Sequence, residues 1–321
     1  MELCQWLTPA LRHQDTWMRC TLTVEKRVTI PVWKLATPDN YHSVGQQFGV
    51  GKATVGAIVM QVLSRCDIML LMEIKDNSNK ICPLLIEKLN GQPQEEYDCV
   101  ISERLGRKSY KEQYAFIYRS NLVSVKQTYQ YPDIQPGDID AFSREPFVVW
   151  FHSPKTVVKE FVIIPQHTTP ETATREIDEL YDVYLDVKQR WKSENFIFMG
   201  DFNAACGYVA KKNWKNIRLR AHSEFVWLIG DKNDTTVRNS TNCAYDRIVI
   251  RGEKLVNAVV PNSADIFDFQ EAFGMTEEQA LEVSDHFPVM FQLKTTRGFL
   301  NWLRSLMPKK RKTRNLHHLP S

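Results

Sequence analysis

The sequence predicts an α/β fold in which two β-sheets pack against each other and carry helices on their outer faces. Many short apolar runs are bounded by turn residues, which is typical of strands. One of them, residues 196–199, runs straight into Gly200 and indicates a strand buried on both faces. Residues 170–191 carry apolar side chains at helical spacing, which indicates a long helix packed on a sheet.

The composition is that of one large domain plus an extension. The chain has 321 residues, of which 43% are hydrophobic and 25% charged, and its formal net charge is +3. Residues 297–321 are basic and contain no acidic residue, so a polyanionic partner would meet local basic groups. We therefore divide the chain into residues 1–64, residues 65–295 and a basic tail at residues 296–321.

No stretch approaches the roughly 20 apolar residues of a membrane span, and the N-terminus does not read as a signal peptide. We therefore expect a monomer in the nucleus or cytoplasm, and the basic cluster at residues 309–312 favours the nucleus. The seven cysteines form no Cys-x-x-Cys pair and no zinc spacing. In a reducing compartment they would be free thiols.

Residues 1–64 differ in character from the rest. Residues 42–62 predict a short helix, a turn at Gly49 and a second helix with Ile58, Val59 and Val62 on one face, which is a helix-turn-helix pattern. This stretch resembles the N-terminal region of Harbinger-type transposase-derived nucleases, which implies a DNA-binding ancestry. A plain helical hairpin that packs on the next domain is the alternative.

From residue 65 onwards, predicted strands alternate with turns and two helices. The apolar run at residues 67–72 ends at Glu73. A helix is predicted at residues 82–90. Further strands are predicted at residues 97–102, 113–119, 122–131, 147–152, 160–167, 245–250 and 287–293.

Acidic residues and histidines stand at or beside the ends of these strands. Hydrolysis of a phosphodiester requires a base, an acid and positive charge near the phosphoryl oxygens. Two histidines, each oriented by a carboxylate, together with a carboxylate-bound cation would meet all three needs. Glu112–His167 and Asp246–His286 are the candidate pairs. Taken singly, Glu73 also fits a solvated strand end, and His167 fits a structural core histidine.

The segments LMEIKD, SERLGRKSYKEQYAF, FSREPFVVWF, PQHTTPETA, FIFMGDFNA, STNCAYDRIV and VSDHFPV carry a resemblance. Through them, residues 65–293 resemble the DNase I family, and most of all its deoxyribonuclease gamma branch. The resemblance implies the four-layer α/β sandwich of the endonuclease/exonuclease/phosphatase superfamily, with two mixed sheets flanked by helices. It also implies divalent-metal-dependent endonucleolytic cleavage of DNA that leaves 5′-phosphate ends.

The resemblance also implies roles for individual residues. It implies that His167 and His286 are catalytic and that Glu112 and Asp246 orient them. It implies Mg²⁺ as the catalytic cation and Ca²⁺ as a structural or activating one. The remaining implied roles are metal binding by Glu73, Asp201 and Asp285, DNA contacts by Asn203, Arg144, Tyr110 and Lys75, and a disulfide between Cys206 and Cys243. Taken alone, Arg144 fits a surface ion pair and Tyr110 fits ordinary packing.

The chain departs from the family before residue 65. Family members begin with a strand that ends in Phe-Asn, and that Asn helps to bind metal and phosphate. Residues 28–33 fit the strand slot in length, but Pro31 argues against a strand there. We therefore expect a nuclease domain that lacks its first strand and is weakened, with the helix at residues 53–64 in the place of the first nuclease helix.

Three functions compete on this basis. The first is a metal-dependent endodeoxyribonuclease. The second is a catalytically inactive DNA-binding protein that uses the helix-turn-helix segment and the basic tail. The third is a phosphoesterase of the same superfamily that acts on a small phosphate ester or a lipid, which SREPFVVWF and SYKEQYAF argue against because those contacts suit a duplex backbone.

Overall fold

The structure, a computed structural model, describes residues 28–34, 52–76, 78–91, 96–135 and 139–296. In that part of the chain, the strands are β1 (Val28–Lys34), β2 (Ile68–Ile74), β3 (Tyr97–Ile101), β4 (Gln113–Arg119), β5 (Ser124–Gln130), β6 (Phe147–His152), β7 (Glu160–Pro165), β8 (Phe196–Asp201), β9 (Phe225–Trp227), β10 (Asp246–Arg251), β11 (Asp265–Ile266) and β12 (Val289–Leu293). The predicted strands are confirmed, with ends that shift by a few residues.

The helices lie between these strands. They are α1 (Lys52–Leu63), α2 (Ile81–Leu89), α3 (Ala173–Trp191), α4 (Arg218–Ala221), α5 (Glu253–Ala258), α6 (Phe269–Ala272) and α7 (Glu277–Val283), with 3₁₀-helices at Pro170–Thr172 and Lys211–Asn216. Among the described residues, no helix has the length and apolar character that crossing a bilayer would need.

The strands form two six-stranded sheets. Sheet one has the order β11-β12-β1-β2-β4-β3, and sheet two has the order β5-β6-β7-β8-β10-β9. Each sheet contains one parallel pair, β1–β2 or β7–β8, and the other paired strands are antiparallel. A parallel pair needs a crossover connection, and α1 and α3 provide it in the two sheets. The sheets are therefore mixed, as predicted.

Alternating side chains of the strands define three apolar layers. Leu70 of β2 belongs to the core between the sheets, where it shares a cluster with Met199 of β8. Leu71 belongs instead to the layer that α1, α2 and α7 cover. On the other side of the molecule, α3 buries Leu180 in the layer that covers the outer face of sheet two. This arrangement confirms the four-layer α/β sandwich.

The first strand corrects the sequence-based expectation. β1 lies between β12 and β2, antiparallel to the former and parallel to the latter, and Ile30 is fully buried between the sheets. Pro31 had argued against this strand. The register with β2 begins only at Val32, so on that side the missing N–H of Pro31 removes no ladder hydrogen bond. The domain therefore does not lack an interior strand.

The boundary at residue 65 is corrected for the same reason. Helix α1 packs its buried Ile58, Val59 and Val62 in the same layer as α2 and α7, as expected for a replacement of the first nuclease helix. Residues 28–34 and 52–63 thus belong to the sandwich. The first helix of the helix-turn-helix pattern and the tail at residues 297–321 lie outside the described residues.

Two disulfides lie within the described part of the chain. The bond between Cys206 and Cys243 matches the one that the resemblance implied. A second bond, between Cys82 of α2 and Cys99 of β3, was not predicted. Cys66 is a buried free thiol, and burial raises the pKa of that thiol. The Cys206–Cys243 bond ties the loop after β8 to the segment before β10.

The role of β1 predicts a stability effect. Ile30→Ala should lower the free energy of unfolding by about 2–5 kcal/mol, because it leaves a cavity in the core between the sheets. Urea denaturation followed by circular dichroism would measure this change. Ile134→Ala is the matched control because Ile134 is 69% exposed, and it should change stability by less than about 0.5 kcal/mol. Equal effects of the two substitutions would contradict the placement of β1.

Candidate active site

The predicted site residues gather at the ends of neighbouring strands, on the same side of both sheets. Asp201 ends β8, and it pairs directly with Asp246 at the start of the antiparallel strand β10. Glu73 is the next-to-last residue of β2, and Glu112 directly precedes β4. His167 follows β7 by two residues and His286 precedes β12 by three. The sequence therefore predicted correctly that these strand ends meet.

The first histidine pair is His167 with Glu112. His167 Nδ1 lies 2.5 Å from Glu112 Oε1, and Arg144 Nε lies 2.9 Å from the same oxygen. Burial raises the pKa of Glu112, but the nearby His167 and Arg144 outweigh it and hold this pKa below its usual value. Glu112 is therefore an ionised acceptor that fixes the orientation of the imidazole.

Hydrogen bonds hold the backbone of His167 as well as its ring. Its N–H donates to the hydroxyl oxygen of Tyr114 at 2.8 Å, and its carbonyl accepts from Arg144 Nη1 at 3.0 Å. Tyr114 is fully buried in β4. Arg144 thus contacts both members of the first pair, which limits the motion of the imidazole relative to Glu112.

The second histidine pair is His286 with Asp246. His286 Nδ1 lies 2.6 Å from Asp246 Oδ2. Complete burial raises the pKa of Asp246 against the opposing effect of His286. The ring of Tyr245 stacks on the imidazole with 5.8 Å between centroids, and the ring of Tyr208 lies 5.4 Å from that of Tyr245. The ring of Tyr245 therefore covers one face of this histidine, and Tyr208 packs against Tyr245.

Asp201 lies between the two pairs. Its Oδ2 atom is 3.7 Å from His167 Nε2 and 3.9 Å from His286 Nδ1, and Glu73 Oε1 is also 3.7 Å from His167 Nε2. Two sets of donor atoms result, each with its atoms within 4.8 Å of one another. The sets are Glu73, Glu112 and His167, and Asp201, Asp246 and His286. Carboxylate oxygens in this number suit a hard divalent cation.

Local backbone geometry orients these side chains. Glu73 has a φ of 58°, and the register of β2 with β4 shifts between Leu71 and Ile74. Such a bulge redirects a side chain out of the regular alternation of a strand. At Gly200 a Cβ atom would lie 1.9 Å from the carbonyl oxygen of Gln166, so only glycine allows this close approach of β8 to the segment that carries His167.

The DNA-contact candidates surround the pairs. The N–H of Asn203 donates to Asp201 Oδ1 at 2.9 Å, and Asn203 Nδ2 donates to the carbonyl of Thr168 at 3.0 Å. Tyr110 is exposed, and Lys75 Nζ lies 4.7 Å from the centre of its ring. Lys75 Nζ also lies 3.9 Å from Glu73 Oε2. These side chains border the site from two sides.

Asp285 is placed less centrally than the other predicted metal residues. It is exposed, and it belongs to neither of the two donor sets. Its backbone carbonyl accepts a hydrogen bond from Val237 at 2.9 Å, which fixes the chain just before His286. A metal-binding role for Asp285 therefore stays a prediction.

Sequence reasoning missed three residues that support the pairs. Tyr114 reads as an apolar strand residue, and nothing in its spacing shows that its hydroxyl meets His167. Tyr245 precedes Asp246 directly, which is a signal that could have been used. Thr235 Oγ1 accepts the N–H of Asp246 at 3.2 Å, although Thr235 lies 11 residues earlier.

Comparison with known proteins identifies the class of this fold and site. The model of the endonuclease/exonuclease/phosphatase family matches residues 49–286, and the chain belongs to this family. The catalytic domain of human Nocturnin with bound sulfate superposes with a TM-score of 0.55 at 12% identity, over 85% of this chain and 97% of that one. At this identity the likeness supports the fold alone.

Two curated relatives narrow the class further. Deoxyribonuclease gamma from Homo sapiens is 61% identical over 274 residues, which are 85% of this chain and 90% of that protein. Deoxyribonuclease-1 from Sus scrofa is 50% identical over 246 residues, which are 76% of this chain and 86% of that protein. Within the larger family, the chain therefore belongs to the DNase I family.

The support of His167 by Tyr114 predicts a second stability effect. Tyr114→Phe should lower the free energy of unfolding by about 1–3 kcal/mol, because it leaves the buried N–H of His167 without an acceptor. The matched control is Tyr118→Phe, in the same strand, whose hydroxyl donates to the exposed Asp98. Urea denaturation of both variants would test this. A loss for Tyr118→Phe as large as that for Tyr114→Phe would contradict the assigned role.

Proposed function

We propose that the chain is a divalent-metal-dependent endodeoxyribonuclease that hydrolyses DNA phosphodiester bonds and leaves 5′-phosphate ends. The observation that carries this proposal is the pair of buried histidines, each hydrogen-bonded through Nδ1 to its own carboxylate and each within 4 Å of Asp201. The relatives named as deoxyribonucleases support DNA as the substrate.

The two histidines divide the proton transfers between them. In each pair the carboxylate holds the Nδ1 side of the ring, which leaves Nε2 for proton exchange with the reacting groups. One imidazole removes a proton from the attacking water as the new P–O bond forms. The other donates a proton to the 3′ oxygen as the scissile P–O bond breaks. The carboxylates stabilise the imidazolium in each state.

The acidic residues fit a resident divalent cation. The fit rests on the donors themselves, since Glu73 and Asp201 each present a carboxylate oxygen 3.7 Å from His167 Nε2. Oxygen donors of this kind suit Mg²⁺ and Ca²⁺ rather than softer metals. We assign Glu73 and Asp201 as the residues that would hold Mg²⁺, with Asp285 as a further candidate. When bound, the cation supplies positive charge to the phosphoryl oxygens.

The surrounding residues would hold the DNA. Arg144 is oriented by Glu112 and by the carbonyl of His167, and its fork of N–H donors suits a phosphate. Asn203, Tyr110 and Lys75 border the same site. Lys75 keeps a positive charge near the rim but lacks the planar geometry of an arginine. These residues therefore position the backbone while the histidine pairs carry out the proton transfers.

An inactive DNA-binding protein is the alternative. It would require the histidine–carboxylate pairs to be disrupted, whereas both pairs are intact and well hydrogen-bonded. The feature that still favours reduced activity is the end of β1, where the sequence reads Trp33-Lys34 instead of Phe-Asn. We therefore propose an active nuclease whose metal binding is weaker than that of relatives with the Asn.

The histidine pairs predict the effect of two substitutions on nicking. His167→Ala and His286→Ala should each lower the rate of plasmid nicking in Mg²⁺ by about 10²- to 10⁴-fold, because each removes a proton-transfer group. The matched control is His152→Ala, at the last residue of β6, and this variant should nick at the parent rate. If the two site variants fold and nick as fast as the parent, the mechanism is wrong.

The donor sets predict a metal requirement. EDTA should abolish nicking and Mg²⁺ should restore it. Glu73→Gln and Asp201→Asn should weaken Mg²⁺ binding, measured by isothermal titration calorimetry, by about 10-fold or more. Asp98→Asn, an exposed carboxylate on β3, should leave the affinity unchanged. Unchanged affinity in Glu73→Gln and Asp201→Asn would remove the metal assignment, whatever their nicking rates.

A further inference from the structure

The segment after the site strand β8 carries a cluster of exposed lysines. We call residues 206–217 the lysine arm. It contains the 3₁₀-helix Lys211–Asn216, on which Lys211, Lys212 and Lys215 are exposed. Within the described ranges, no carboxylate lies within 4.0 Å of these three amines, whereas Lys75, Lys126 and Lys188 all have acidic partners.

The lysine arm is held in a defined position by packing, an ion pair and a disulfide. Val209 and Ile217 anchor it on both sides of the 3₁₀-helix by packing in the core under α3. Just beyond it, Arg218 Nε lies 3.0 Å from both carboxylate oxygens of Asp178 of α3. At its beginning, Cys206 is bonded to Cys243. The three amines therefore project from a surface with a defined position, which favours a binding role over that of a solvated loop.

The lysine arm is continuous with the active site. Its Tyr208 is 44% exposed and packs against Tyr245, which in turn stacks on His286. An open cavity of about 460 Å³ separates the arm from the start of α3. Thr174, Arg175, Tyr208, Asn213 and Asn216 contribute to its lining, with Glu171 and the Arg218-bound Asp178 as its acidic members.

We propose that the lysine arm binds the sugar–phosphate backbone of DNA at phosphates beyond the scissile one. A six-residue 3₁₀-helix is about 12 Å long. A duplex strand presents one phosphate per about 3.4 Å of helix axis, so the arm spans about three phosphates of one strand. Amines recognise phosphates by charge and not by base, so this contact adds affinity without sequence preference. The inference rests on the proposed function, since DNA must enter the site.

The test compares two triple variants that each remove three positive charges. The arm variant is Lys211→Gln/Lys212→Gln/Lys215→Gln. The control is Lys88→Gln/Lys192→Gln/Lys254→Gln, whose lysines are also exposed. Lys192 precedes β8 and Lys254 follows β10, so both lie at the opposite end of sheet two from Asp201 and Asp246. Lys88 lies near Asn90, whose side chain accepts a hydrogen bond from the N–H of Tyr97. Tyr97 begins β3 at the end of the sheet opposite Glu112.

Binding is measured separately from cleavage. Fluorescence anisotropy with a labelled 20-bp duplex in EDTA, over a series of NaCl concentrations, gives the slope of log affinity against log salt. The arm variant should lower the magnitude of this slope by about 2–3, because about one counterion-releasing contact is lost per lysine. The control triple should leave the slope within about 0.5 of the parent. In Mg²⁺, the arm variant should raise KM for plasmid more than it lowers kcat.

Two outcomes overturn the proposal. Equal reductions of the slope by both triples would show an effect of net charge alone, and an unchanged slope in the arm variant would show that the arm does not meet phosphates. Thermal melting of both variants confirms that they are folded. If the parent binds the duplex with the expected slope but does not nick plasmid in Mg²⁺, the proposed nuclease function fails while the lysine arm stands.

Discussion

The rest of the site depends on two buried carboxylates that face each other. Asp201 and Asp246 are direct partners on β8 and β10, and they are only 1% and 2% exposed. Like charges opposite each other on neighbouring strands destabilise a sheet, and burial increases the effect. His286 offsets the charge of Asp246 directly, and His167 lies near Asp201. Arg144 and Lys75 offset the charges of Glu112 and Glu73, and a bound cation would add positive charge beside Asp201.

Both histidine pairs join one sheet to the other. His167 follows β7 of sheet two and bonds to Glu112, which directly precedes β4 of sheet one, whereas His286 precedes β12 of sheet one and bonds to Asp246 of sheet two. The distance between the sheets, set by the apolar core between them, therefore also sets the geometry of the two histidine–carboxylate pairs. A substitution deep in that core would therefore change the geometry of these two hydrogen bonds.

The sequence predicted the sandwich, its strands and the two pairs because strand ends and polar residues coincide at Glu73, His167 and Asp201. It failed where the outcome depends on tertiary context. Pro31 argued against β1. However, Ile30 and Val32 pair with β12, Val32 also pairs with β2, and the burial of Ile30 outweighs the missing backbone donor of Pro31. Cys82 and Cys99 show no recognisable spacing, since only the packing of α2 on β3 brings them together. The hydroxyl of Tyr114 is likewise invisible as a site group until the strand is folded.

The first strand has a spacing role that is separable from metal binding. β1 keeps β2 and β12 two strand positions apart, about 10 Å, whereas β8 and β10, which carry Asp201 and Asp246, are adjacent. Without β1, Glu73 and His286 would not face Asp201 and Asp246 together. Backbone pairing and an apolar residue at Ile30 satisfy this role, and neither needs the Phe-Asn ending. A sequence unlike that of the family can therefore preserve both histidine pairs, and the difference would act on cation binding, where an Asn at the end of β1 would add an oxygen ligand.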